Sequence, residues 1–156
     1  MIIRPVREED AASLQQNCFS ANTFEQTAAM IPPAIDGLEH GESAMLVAEE
    51  NGDVLGTCTV ERLAHRMCRH RADIVGFVIT PAAQGTGLAR KLVDAANQRA
   101  RDWGCSILEI SCRGGTHAED AYRGLGFRVW GRLPEGYRDR DQTFDEVLLW
   151  KPISPG

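Results

Sequence analysis

Apolar and polar positions along this chain change period several times, and each change marks an element. Residues 2–6 form a short apolar, β-branched run that reads as a strand. Across residues 8–20, Ala11, Leu14 and Cys18 share one helical face, and residues 23–30 resume helical character. Ile31-Pro32-Pro33 is expected to break that helix, with residues 34–40 adding a further turn. Strands follow at 44–48 and 54–63, separated by Asn51-Gly52-Asp53, a tight hairpin signal. Residues 69–79 make a fourth strand. A long helix over 86–103 then carries Leu88, Leu92, Ala96, Ala100 and Trp103 along one stripe. A strand at 106–112, a short helix around Tyr122, and strands at 128–132 and 143–151 close the pattern, with 134–142 as a loop between the last two. The alternation predicts an α/β (α+β) architecture in which helices flank both faces of a single mixed sheet of about seven strands. No repeat, low-complexity segment or linker divides the 156 residues, so a single domain over 1–156 is expected.

One junction carries chemistry. The buried strand ending Phe77-Val78-Ile79 is stopped by Pro81, and Gln84-Gly85-Thr86-Gly87-Leu88-Ala89-Arg90 leads straight into the long helix. Gly85 and Gly87 therefore sit where a helix begins, with backbone N–H groups that lack intrahelical partners and no side chain in front of them. A phosphate suits such a turn. The Walker A spacing is absent, since no Gly-Lys-Ser/Thr completes it. The dinucleotide fingerprint is incomplete too, because Arg90 stands where its third Gly would be.

What remains, Gln84-x-x-Gly87-x-Ala89 after a strand ending Val-x-x-Pro, resembles the pyrophosphate loop of the GNAT superfamily of acyl-CoA-dependent N-acyltransferases. A second segment agrees. Ala118-Glu119-Asp120-Ala121-Tyr122-Arg123-Gly124-Leu125-Gly126-Phe127 is similar to the superfamily's later signature, a short helix with Tyr ahead of a Gly-Phe that opens a strand. Gly126 reads as the helix C-cap and Phe127 as the first buried strand residue. At finer resolution His70-Arg71-Ala72-Asp73, Tyr122 and Gly131-Arg132-Leu133-Pro134-Glu135-Gly136-Tyr137 look most like the tabtoxin-resistance-type acetyltransferases. Two positions depart from that pattern: Ser111 stands where those relatives tend to carry an acidic residue, and Gly115 where the superfamily often has Asn.

The resemblance implies a GNAT-like, mostly antiparallel sheet and acetyl-CoA as acyl donor, with no metal. It implies that the main chain of Phe77, Val78 and Ile79 meets the pantetheine arm. Gln84, Gly85, Thr86, Gly87, Leu88, Ala89 and Arg90 would hold the pyrophosphate. Tyr122 matches the general acid that many members place beside the cofactor sulfur. For the base, acidic residues in otherwise apolar strands stand out, because an isolated carboxylate there is costly. Asp73 and Glu109 are the two candidates, and each alternatively lies at a strand end or pairs with an arginine such as Arg71 or Arg113.

Composition limits the remaining choices. A 43% hydrophobic content suits a globular chain, and 22 acidic against 17 basic residues, net −5, offer no general basic field for nucleic acid. No apolar run approaches a membrane span or a signal peptide core, and five scattered cysteines, Cys18, Cys58, Cys68, Cys105 and Cys112, suit a reducing compartment, so a cytoplasmic enzyme is expected. His65-Arg66-Met67-Cys68-Arg69-His70 lacks the second ligand pair of a tetrahedral metal set and reads as a basic turn. Acidic Glu25, Asp36, Glu39, Asp139, Asp141 and Asp145 favour a cationic acceptor: a small-molecule amine such as an antibiotic, amino acid or polyamine. Acetylation of a protein N-terminus or lysine shares the same donor loop, and a non-catalytic CoA-sensing or partner-binding domain is the alternative of another class. Monomer and homodimer are both compatible with the sequence.

Overall fold

The computed structural model describes residues 1–155. Its seven strands are β1 (Ile2–Pro5), β2 (Ser43–Glu50), β3 (Asp53–Arg62), β4 (Arg71–Ile79), β5 (Ile107–Arg113), β6 (Arg128–Asp139) and β7 (Gln142–Pro152). They form one sheet in the order β1-β2-β3-β4-β5-β7-β6. Every neighbouring pair is antiparallel except β4 with β5, which is parallel because α3 (Leu88–Asp102) crosses between them. The β2–β3 hairpin turns on Asn51 and Gly52, both at positive φ as its two-residue connection requires.

The two faces are covered unequally. On one, α3 and α4 (His117–Gly124) close a core of Leu46, Val60, Ile74, Leu88, Leu92, Leu108 and Leu149. On the other, α1 (Ala11–Asn17) and α2 (Phe24–Glu39) lie against β2 and β3 and bury Leu14, Ile31, Met45, Val47 and Val54. Further along that second face, β4, β5 and β7 carry polar and aromatic side chains around open cavities.

Three sequence expectations need correction. Residues 8–20 are a 3₁₀ turn, Glu8–Asp10, followed by the shorter α1, because the Asp10 carboxylate leaves the helical pattern to receive the Arg4 guanidinium (2.8 Å to each oxygen) and the Arg7 N–H (2.7 Å). Pro32 and Pro33 do not break α2. Both rings lie on its exposed side, while Thr27 and Ile31 are buried against the sheet, so tertiary packing offsets two missing backbone donors. Its start is fixed by a capping box, Thr23 Oγ1 accepting from Gln26 N–H and the Gln26 side chain accepting from Thr23 N–H. Finally, residues 134–139 are not part of a loop but of β6. Pro134, Glu135 and Gly136 bulge out between the pairs Leu133↔Glu146 and Tyr137↔Phe144, after which the ladder resumes. The turn residues thus sit in a bulge, with Glu135 at φ 56°.

Candidate active site

β4 and β5 pair only over Arg71–Ile74 and Ile107–Ile110. Beyond that the strands part, and a local feature of β4 explains why. Cys58 of β3 faces two residues, Gly76 and Phe77, between the pairs Thr59↔Val75 and Thr57↔Val78. Gly76 takes φ 59°, a left-handed conformation that glycine adopts without the penalty of a Cβ. This bulge turns the end of β4 away from β5, so the β5-side edge of Phe77, Val78 and Ile79 has no strand partner while Val78 and Ile79 still pair with Thr57 and Gly56.

The wedge leads to the glycine loop. After Ile79 a single 3₁₀ turn, Pro81–Ala83, buries Ala83, and the Thr86 hydroxyl donates to its carbonyl at 2.5 Å. Gly85 (φ 76°) and Gly87 (φ 83°) follow, and a Cβ built on either would meet nothing within 4 Å. Leu88 is fully buried and anchors the helix start. The first bond of α3 runs from Lys91 N–H to Gly87 C=O at 3.3 Å. Among the described residues, the N–H groups from Gly85 to Arg90 thus have no backbone acceptor. They open on a cleft of about 650 Å³ lined by Ile79, Gln84, Gly85, Gly87, Arg90, His117, Ala121 and Leu125. Arg90 bridges to the C-terminal end of α4, its guanidinium donating to Gly124 C=O at 3.1 Å. A run of free donors at a helix start beside a cleft of this size fits a pyrophosphate with an extended arm.

α4 supplies the other wall. It ends in a Schellman arrangement, Gly126 N–H to Arg123 C=O (3.0 Å) and Phe127 N–H to Tyr122 C=O (3.1 Å), with Gly126 at φ 98° and Phe127 buried. The anchored turn holds the Tyr122 ring edge-on between Phe77 (centroids 6.1 Å) and Phe127 (6.2 Å). Its phenol faces a cavity of about 220 Å³ at the apex of the wedge, shared with Gly76, Phe77, Ser111 and Tyr137. Burial pushes its pKa up to about 12, so it stays a proton donor at neutral pH. Across the cavity the Tyr137 hydroxyl and Ser111 Oγ are hydrogen-bonded at 2.7 Å.

Ile110 and Ser111 also border a second cavity, about 190 Å³, lined by Arg71, Asp73, Glu109, Trp130 and Glu146. Here the two candidate carboxylates part company. They face each other in register across β4 and β5. Glu109 is held bidentately by Arg71, at 2.8 and 2.5 Å, the alternative that its strand position left open. Asp73 has no such partner. Its pKa is raised to about 6, by burial first and then by Glu109, Glu61 and Glu146, with Arg71 opposing.

Several participants are invisible to a search for isolated charges. Ser111 and Tyr137 meet through the resumed β6 ladder, and Glu146 arrives from β7 by register alone. Tyr137 left a trace in its Gly, Pro and Tyr pattern and Ser111 as a departure from an acidic position, whereas Glu146 left none. The six acidic residues expected to favour a cation line neither cavity. Asp36 sits beside His40 (3.4 Å), Asp139 pairs with Arg113 (3.2 Å) and Asp145 with Arg132 (3.6 Å). In the basic turn, His65 Nδ1 accepts from Met67 N–H at 3.1 Å, and among the described residues no cluster of three His, Cys, Asp or Glu side chains could hold a metal ion. Among the described residues, no helix is long and apolar enough to cross a membrane.

Comparison with known proteins agrees with this geometry. The profile of the acetyltransferase (GNAT) family matches residues 8–127. A putative acetyltransferase of Salmonella typhimurium, solved with its cofactor acetyl-CoA, superposes with a TM-score of 0.82 at 20% identity, covering 100% of this chain and 95% of that one. A ribosomal-protein-alanine N-acetyltransferase of Brucella melitensis gives 0.82 at 21%, covering 97% and 99%. A phosphinothricin acetyltransferase of Sinorhizobium meliloti, in complex with acetyl-CoA, gives 0.80 at 17%, covering 97% and 88%. The chain belongs to the GNAT family of acetyltransferases. It has the family's fold, and acetyl-CoA is its acyl donor.

Proposed function

We propose that this enzyme acetylates the primary amine of a small molecule by direct transfer, with Asp73 receiving a proton from the amine and Tyr122 supplying one to the departing thiolate. When bound, acetyl-CoA supplies a thioester carbonyl as electrophile. The main chain of Phe77, Val78 and Ile79 would orient its arm, and Gln84 to Arg90 would hold its pyrophosphate through the free N–H groups. The observation that carries the reading is that Ile110 and Ser111 separate two adjoining cavities, one with the protonated Tyr122 phenol, the other with Asp73. An acceptor amine beside Asp73 is thereby directed toward the apex of the wedge. The raised pKa suits the role, because a base near neutrality both takes and releases a proton readily.

Asp73 is favoured over Glu109, each of whose carboxylate oxygens already accepts from Arg71. Asp73, Tyr122 and the Gly131 to Tyr137 segment also support kinship with the tabtoxin-resistance-type enzymes. Five unpaired cysteines fit a cytoplasmic enzyme. Acetylation of a protein N-terminus is the second reading, supported by likeness to the ribosomal-protein-alanine enzyme. Measuring free CoA released against a panel of small amines and N-terminal peptides decides between them. Turnover with small amines supports the proposal, turnover confined to peptides favours the second reading, and no release with any acceptor overturns both.

A further inference from the structure

Asp73's cavity does not end at Asp73. Arg71, Glu109 and Trp130 line it and also line a groove of about 410 Å³ further toward the start of β4 and β5, completed by Ile107 and Trp150. The two spaces are thus continuous along one sheet face, and their chemistry differs from end to end. At the Asp73 end, Asp73 and Glu146 present carboxylates, with Glu61 opposite Asp73 in the β3–β4 register. At the far end the walls are indole rings. Trp130 is the extra residue of a β6 bulge, between Val129↔Leu149 and Gly131↔Leu148, and 54% of it is exposed. A bulge re-aims a side chain, and here it sets a large aromatic on an open face beside the site.

The charges around the groove sharpen the selection. Arg71 neutralises Glu109 where the two spaces meet. The Arg128 guanidinium lies over the Trp150 ring, 5.4 Å from its centroid. Beside that neutral Arg71–Glu109 pair, the charge at the aromatic end is the Arg128 guanidinium. A ligand spanning both spaces therefore carries one ammonium at the Asp73 end and an uncharged, apolar body at the tryptophan end, where a second ammonium would meet Arg128, already seated over the Trp150 ring.

We infer that the acceptor is an aryl-alkyl monoamine, its ammonium held near Asp73 and its ring stacked in the groove between Trp130 and Trp150, so that Trp130 determines specificity. This rests on the proposed transfer to small amines. Each space is of a size that takes part of a small ligand, and offset or edge-on contact with indoles rewards a flat ring over a flexible chain.

The test compares 2-phenylethylamine, propylamine and putrescine by CoA release, with quenching of protein tryptophan fluorescence by 2-phenylethylamine as a readout independent of turnover. The expected order in kcat/KM places 2-phenylethylamine above both others by about ten- to a hundredfold. Trp130→Ala should raise the KM for 2-phenylethylamine about tenfold and shrink its advantage over propylamine, and Trp130→Phe should restore most of it. Preference for putrescine, or a 2-phenylethylamine KM insensitive to Trp130→Ala, overturns the inference. Conversion of a dimer to a monomer by Trp130→Ala with that KM unchanged also overturns it and assigns the face to a second copy of the chain. If no amine releases CoA yet 2-phenylethylamine quenches the wild type and, by calorimetric titration, binds the wild type and not Trp130→Ala, the groove stands as a ligand site and the transfer reaction is what fails.

Discussion

The two sides of the wedge are built from different materials. On the donor side, Gly85, Gly87 and the start of α3 offer main-chain N–H groups, and side chains serve mainly to keep that backbone in place, as buried Ala83 and Leu88 do. On the proposed acceptor side, the cavity is lined by side chains from β4, β5, β6 and β7, brought together by register. Backbone recognition suits a donor that is always the same molecule. Side chains change without disturbing the sheet, so the acceptor side is where specificity can vary on a constant frame.

The sharpest way to break this comparison is at the apex. Tyr122→Phe removes one proton donor and leaves the Phe77 and Phe127 contacts, so kcat should fall by roughly 10²–10⁴-fold while acetyl-CoA affinity changes little. Single-turnover measurements that isolate chemistry check this, and an undiminished chemical step would return Tyr122 to a packing role.

Asp73→Asn tests the acceptor side by rate and by pH. With a base of pKa about 6, wild-type kcat/KM should rise with pH through that value and level off above it; the amide should lose the limb and about 10² in rate. Its effect on stability has the opposite sign. Because the folded-state pKa lies above the ordinary 3.8, folding favours the protonated form, and the carboxylate's penalty grows as pH rises from about 4 to about 6. Asp73→Asn should accordingly stabilise the fold by about 1–3 kcal/mol above pH 6, with no gain below pH 4. Denaturant titrations at the two extremes measure it, and equal differences at both would show that Asp73 titrates normally.

Gly87→Asp attacks the backbone side. A side chain at φ 83° costs about 1–2 kcal/mol, and a carboxylate would point into the space where the anion binds. Acetyl-CoA affinity should drop about a hundredfold or more, with the acetyl-CoA-dependent rise in Tm lost at concentrations that saturate the wild type. Retained affinity would place the phosphates elsewhere.

The smallest effect is expected from Ser111→Ala. It removes one hydrogen bond to Tyr137, for about 0.5–1.5 kcal/mol, which should appear as a two- to tenfold loss in kcat/KM at unchanged acetyl-CoA affinity. A loss in donor affinity instead would mean that the two sides are not separable.

The same division governs how much could be read from the chain. The shape of the proposed donor loop was legible because its parts are contiguous: a strand, a proline, two glycines and an amphipathic helix, each with a local physical meaning. The seven strands were legible through their periods, with edges displaced by a few residues. Failures occurred where long-range contacts overrule local signals. Pro32 and Pro33 read as a break because two donors are lost, yet Ile31, 1% exposed, holds α2 to the sheet. Residues 134–142 read as a loop, yet Pro134, Glu135 and Gly136 form a bulge inside a strand whose pairing resumes at Tyr137.

By itself, then, the order of residues determined the glycine turn before the long helix, the helix with Tyr122 and the presence of carboxylates in apolar strands, because each depends on neighbours within a few positions. Only the tertiary structure decided between those carboxylates. Asp73 and Glu109 look alike in sequence and stand opposite each other in the sheet, and the position of one guanidinium, Arg71, leaves the first free and ties up the second. It also decided which surface the acceptor side offers, since Trp130 and Trp150, twenty residues apart along the chain, come together with Asp73 only when β6, β7, β5 and β4 lie side by side. Register between distant strands follows from burying the whole core at once, and no local pattern encodes it.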